Sequence, residues 1–137
     1  MTKALEVLRA VPETTERAHQ ELVLQRLLGP ALMATSAFSA PETIAAFSRA
    51  RELAQIVAAD VDIYPVLWGV WTSAIYRANY AVARDVAKEI ITRAQAGPDQ
   101  EACLVGHITG GFTDLMAGEF APARGHYEEA VDLYQTR

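Results

Sequence analysis

His19, His107 and His126, the single Cys103, and the acid pairs Asp60/Asp62 and Glu128/Glu129 are the side chains best suited to chemistry in this chain. Histidine is a proton carrier near neutral pH and a metal ligand. The three histidines fall on separate segments, and no H-E-x-x-H places two of them on one helical face. Metal ligation is therefore not predicted, and no cofactor is expected. Cys103 sits between Ala102 and Leu104, without a sequence neighbour that would activate a thiolate, and reads as a small buried residue. The paired acids read as solvated charges. His107 and Asp114 lie two helical turns apart on one face and could form a polar pair there. Neither lysine, Lys3 nor Lys88, follows a glycine, so a phosphate-cradling loop is absent. Gly106, Gly110 and Gly111 lie in a helical stretch and suit close helix packing. No catalytic residue is predicted, and the chain is not read as an enzyme.

The composition excludes further classes. A net charge of −5 opposes nucleic acid, whose phosphates need clustered Lys and Arg. The same scarcity of lysine excludes a basic helix lying on a membrane, and no segment holds the ~20 apolar residues of a span. The start, Met1-Thr2-Lys3-Ala4-Leu5, lacks a signal-peptide layout. A lone cysteine suits a reducing compartment, and a cytoplasmic location is expected. Hydrophobic residues make up 51% of the chain and charged ones 21%, which predicts a packed core. Abundant alanine without β-branched runs predicts an all-α fold.

Breakers set the helices. Pro12-Glu13-Thr14-Thr15 starts one that runs from about Thr15 to Ser36, with a kink expected at Gly29-Pro30. Ser39-Ala40-Pro41-Glu42 starts the next, which reaches about Ala58 before the polar link Ala59-Asp60-Val61-Asp62. Tyr64-Pro65 opens a third that ends near Arg77, and a tight turn at Ala78-Asn79-Tyr80 leads to a fourth ending near Ala96. Gly97-Pro98-Asp99 is the strongest break. A fifth helix covers about Gln100 to Met116, and Ala117-Gly118-Glu119-Phe120 turns into a sixth ending near Gln135. The short links predict antiparallel pairs over about 14–58, 64–96 and 100–135, with residues 3–11 as the end of a preceding helix.

A shift of forty residues aligns Ala40 with Tyr80 and Phe120, Thr43 with Ala83 and Ala123, Phe47 with Ala87 and Tyr127, and Ala50 with Ile90 and Ala130. Ala31, Trp71 and Gly111 align on the first helices. A constant offset is the mark of a helical solenoid, in which each pair buries its apolar face against its neighbours. Trp68, Thr72, Ile75 and Tyr76 then fall on the face that would line the concave surface. Leu28, Leu32 and Thr35 precede them, and Ile108, Phe112, Leu115 and Met116 follow. Such an apolar groove would take an amphipathic helix or an extended peptide, so a protein or peptide partner is expected.

The last pair resembles the tetratricopeptide repeat. Gly118-Glu119-Phe120 matches its Gly-x-aromatic turn, and Ala123, Tyr127 and Ala130 match its second helix. Gly111 and Ala123 would permit close approach, with Tyr127 filling the gap. The first helix departs from the pattern: His107 stands for tryptophan, Gly110 for leucine and Asp114 for tyrosine, while the middle pair keeps Tyr80 and Ala83 but has Trp71 in place of glycine. The fold this implies is a right-handed α-α superhelix of three tetratricopeptide-like pairs plus a leading partial helix.

Longer blocks resemble the C-terminal repeats of bacterial class III adenylate or guanylate cyclase–ATPase signalling proteins. They are Glu21-Leu22-Val23-Leu24-Gln25, Leu28-Gly29-Pro30-Ala31-Leu32, Ala50-Arg51-Glu52-Leu53, Tyr64-Pro65-Val66-Leu67-Trp68-Gly69-Val70-Trp71 and Gly118-Glu119-Phe120 with Ala123-Arg124. The resemblance implies a non-catalytic interaction or regulatory module, with cyclase and ATPase chemistry outside this chain. Ala4-Leu5-Glu6-Val7 resembles Ala50-Arg51-Glu52-Leu53, and Tyr134-Gln135-Thr136-Arg137 lacks a polar cap. The chain is accordingly expected to be part of a longer array, and to form a homo-oligomer through exposed terminal helices. The alternative from another class is a small-molecule sensor domain of a repeat-containing transcription regulator.

Overall fold

The computed structural model describes residues 2–12, 14–57 and 62–136. All regular structure among them is helical: α1 (Thr2–Arg9), α2 (Thr15–Thr35), α3 (Pro41–Val57), α4 (Tyr64–Tyr76), α5 (Tyr80–Gln95), α6 (Gln100–Met116) and α7 (Phe120–Gln135). The chain divides into two compact units, residues 1–73 and 74–137. None of the helices among the described residues is long and apolar enough to cross a membrane. Of the acids singled out in the sequence, Asp60 lies outside the described residues, while Asp62 accepts from the Tyr64 N–H at 3.2 Å.

The helices start where local chemistry satisfies their first N–H groups. Thr14 Oγ1 accepts from Arg17 N–H at 3.1 Å, Asn79 Oδ1 from Val82 N–H at 3.4 Å, and Asp99 Oδ1 from Ala102 N–H at 2.9 Å. Glu119 holds the cap position of α7 without a side-chain bond. Two turns use one device. Ala78 and Gly118 take positive φ of 53° and 79°, and the next N–H reaches back five residues, Asn79 to Ala74 O at 2.9 Å and Glu119 to Asp114 O at 2.8 Å. This is the Schellman closure, recurring at the forty-residue offset.

In the first unit α2 packs on α3. Glu21 meets Arg49, while Gly29, further along α2, meets Phe47, earlier on α3, so the two run antiparallel. α2 continues as one helix through Pro30. A Cβ on Gly29 would lie 2.6 Å from Phe47 Cζ, and one on Gly69 of α4 would also strike the Phe47 ring. Phe47, 3% exposed, therefore lies directly on two glycine backbones. Leu22, Ala46, Ala50 and Leu53 complete the buried seam. Arg49 grips Glu21 through Nε and Nη2 at 2.8 and 3.1 Å, and this bond holds the Glu21 carboxyl below its ordinary 4.5 against the upward push of burial.

In the second unit α6 packs between α5 and α7. Arg84 and Ile91 of α5 meet Asp114 and Gly106 of α6. Gln100 and His107 of α6 meet Leu133 and His126 of α7. Contacts that ascend one helix descend the other, so both pairs are antiparallel. The buried positions of α3, Thr43, Ala46, Phe47 and Ala50, recur in α5 as Ala83, Val86, Ala87 and Ile90. On α7 the same frame keeps Ala123 and Ala130 buried.

Candidate functional site

Two features of the second unit stand out, a polar chain through the three helices and an apolar stripe on α6. The polar chain starts at Arg84 on α5, whose Nε donates to Asp114 Oδ1 on α6 at 2.6 Å. Asp114 is 5% exposed, so this pairing offsets the cost of burying its carboxylate. Its other oxygen faces His126 Nε2 on α7 at 3.8 Å. Across the ring, His126 Nδ1 stands 3.1 Å from His107 Nδ1, the ring centres 5.3 Å apart.

The glycines of α6 make this possible. A Cβ on Gly110 would lie 2.9 Å from His126 Cε1 and Nε2, and one on Gly111 would lie 3.1 Å from Tyr127. Both α7 rings thus rest on the α6 backbone, and any larger residue would hold α7 away. The sequence pairs His107 with Asp114 along one helix face. In the folded chain each finds its partner on another helix: His107 meets His126, and Asp114 meets Arg84. His19 is exposed on α2, in the first unit.

Burial is the largest influence on His107 and lowers its pKa from 6.5; the His126 charge acts the same way, with Glu129 opposing. Burial likewise pushes the Cys103 thiol above its ordinary value, helped by Glu129 and Asp99, which opposes thiolate chemistry. Among the described residues no three His, Cys, Asp or Glu side chains form a group able to hold a metal ion.

The stripe is Ile108, Phe112, Leu115 and Met116, 44%, 37%, 44% and 49% exposed. Their spacing of four, seven and eight residues keeps them on one face of α6. The buried Ala102, Gly106, Thr109 and Thr113 occupy other faces, and Thr109 and Thr113 return their hydroxyls to helix carbonyls at 2.9 and 2.7 Å. Ile75 and Tyr76 end α4 in this unit, the first half-buried and the second exposed. Phe120, exposed, opens α7, and Tyr127 is half-buried.

The first unit holds the remaining groove residues named from sequence. Leu28 and Leu32 are half-buried on α2, and Trp68 is 45% exposed on α4 with its ring centre 4.9 Å from that of buried Trp71. Thr72 is buried, and its hydroxyl donates to Trp68 O at 2.7 Å. Leu67 is fully buried.

Sequence periodicity places the stripe on one helix face. It gives no signal for the histidine contact, because residues 107 and 126 meet only once α7 has folded back along α6. Family models, curated proteins and solved structures yield no match to this chain.

Proposed function

We propose that the chain is a non-catalytic protein-interaction or regulatory module, built from tetratricopeptide-like helix pairs arranged as a right-handed superhelix. The observation that carries this reading is the stripe Ile108–Phe112–Leu115–Met116, four large apolar side chains kept at the surface of a helix braced by α5 and α7. A rigid helix with an exposed apolar face meets the apolar stripe of an amphipathic helix without reordering itself, which lowers the entropic cost of binding. The forty-residue recurrence of the buried positions in α3 and α5, and of the Ala78 and Gly118 turns, supports the repeat reading. Its biological setting, on the resemblance of the sequence blocks above, is a larger bacterial signalling protein of the class III cyclase type.

The experiment is a helical-peptide display selection against the intact chain, followed by amide shift mapping of the selected peptides. Shifts concentrated on α6 are expected, with Phe112→Asp abolishing binding while the helical circular dichroism is retained. Peptides that bind elsewhere, or bind Phe112→Asp equally well, would overturn the assignment of the stripe.

A further inference from the structure

The contact between His107 and His126 has a consequence independent of what the α6 stripe binds. Two Nδ1 atoms 3.1 Å apart form a hydrogen bond only when one carries a proton and the other offers a lone pair. Asp114 Oδ2 on the far side of His126 favours a proton on its Nε2, which leaves His126 Nδ1 to accept from His107. With one added proton the pair still works, as an imidazolium donating to an imidazole. With two it does not: both Nδ1 atoms become donors, and two positive rings face each other at hydrogen-bond distance.

We propose that the His107–His126 contact is a proton-sensitive latch, which docks α7 on α6 at neutral pH and releases it as the pair is forced to take a second proton. The groups around the pair set its balance. From α5, Arg84 and Lys88 border the cleft that His126 faces, and both oppose added positive charge. From α6, Asp114 supports one charge on the pair, but its Oδ1 is already committed to Arg84. Cys103, one turn before His107 on α6, carries no charge to offset a second proton. From α7, Glu119 borders the same cleft and Glu129 favours protonated His107, though less than burial and His126 oppose it.

The direction of the effect follows from proton counting. An unfolded chain lets imidazoles protonate as the pH falls through about 6.5, whereas the 3.1 Å contact between the two Nδ1 atoms resists a second proton, so the folded state binds fewer. Stability is fully present above that value and falls as the pH drops below it. One missing proton weakens the folding equilibrium by up to about tenfold per pH unit. Glu21, held below 4.5 by Arg49, acts in a more acid range and leaves the window between to the histidines.

The test is urea unfolding of the whole chain from about pH 7.5 to about pH 5, comparing it with His107→Gln and His126→Gln. The native chain should lose up to about tenfold per pH unit relative to either variant. Equal pH slopes in all three would overturn the latch. Should a variant fail to fold, imidazole titration of the native chain by NMR decides the matter. The expected result is two coupled steps, the second arriving together with loss of amide protection in α7. Two rings that titrate independently to completion, with α7 protection unchanged, would refute it.

Discussion

At the scale of single residues, the two Schellman turns make a matched experiment. Gly118 takes φ 79° without penalty, while Ala78 takes φ 53° with a Cβ that crowds its own carbonyl. Ala78→Gly should therefore raise stability by about 1 kcal/mol, less whatever the freer unfolded glycine gives back. Gly118→Ala should lower it by about 1 kcal/mol. Urea melts of both variants check this, and a destabilised Ala78→Gly would contradict the strain argument. The sequence marks Gly118 as a turn, because glycine in that conformation has a known signal. The tight turn at Ala78-Asn79-Tyr80 was readable too, but alanine carries no signal for the positive φ that Ala78 adopts. The same contrast governs the histidines: residue type reveals what each could do, but only packing reveals that two share a hydrogen bond.

Helices pair through small residues, and here the aromatic rings act as gauges of helix separation. Phe47 lies on Gly29 and Gly69, and Tyr127 lies on Gly111. Adding one methyl group at Gly29 meets a ring that also rests against Gly69, so Gly29→Ala should cost about 1–3 kcal/mol. Phe47→Leu in the same chain should recover part of that loss, since the shorter side chain vacates the space. A loss unchanged in the double variant would place the strain elsewhere. Ala123, 3% exposed, faces α6, whereas Ala121 is exposed. Ala123→Leu should cost about 1–3 kcal/mol and Ala121→Leu far less, and equal tolerance in urea melts would break the repeat frame. Helix limits were readable from Pro12, Pro41, Pro65 and Gly97-Pro98, because breakers act locally. The sequence also places a single helix from about Thr15 to Ser36 across Gly29-Pro30, and α2 runs Thr15–Thr35 through Pro30, whose lost hydrogen bond is only a local cost.

For the molecule as a whole, several large apolar side chains stand exposed among the described residues. On α7, Phe120 is 69% exposed, Val131 52% and Tyr134 66%, and Phe120 and Val131 border a cleft with Leu115, Ala123 and Tyr127. On the same helix Arg124 bonds Glu128 at 2.7 Å, so a cation and an anion flank the apolar row. On the other unit, Val7 and Val11 are 63% and 44% exposed. On α5 the positions forty residues before Val131 and Tyr134 are Ile91, which meets Gly106 of α6, and Ala94, which is buried. A helix face of this chemistry thus has a helix for its natural cover, and at high concentration another copy of the chain can supply one. We therefore expect a dimer or higher oligomer, with a two-fold pair the simplest closed arrangement. Light scattering across a concentration series should show the mass rising toward that of a dimer. Val131→Asp, at an exposed site, should shift association to higher concentration without loss of helical signal. A strictly monomeric chain at high concentration would mean that water tolerates these faces, and the terminal helices would lose their role as association surfaces. If instead the native chain dimerises and Val131→Asp does so equally well, the contact lies away from α7.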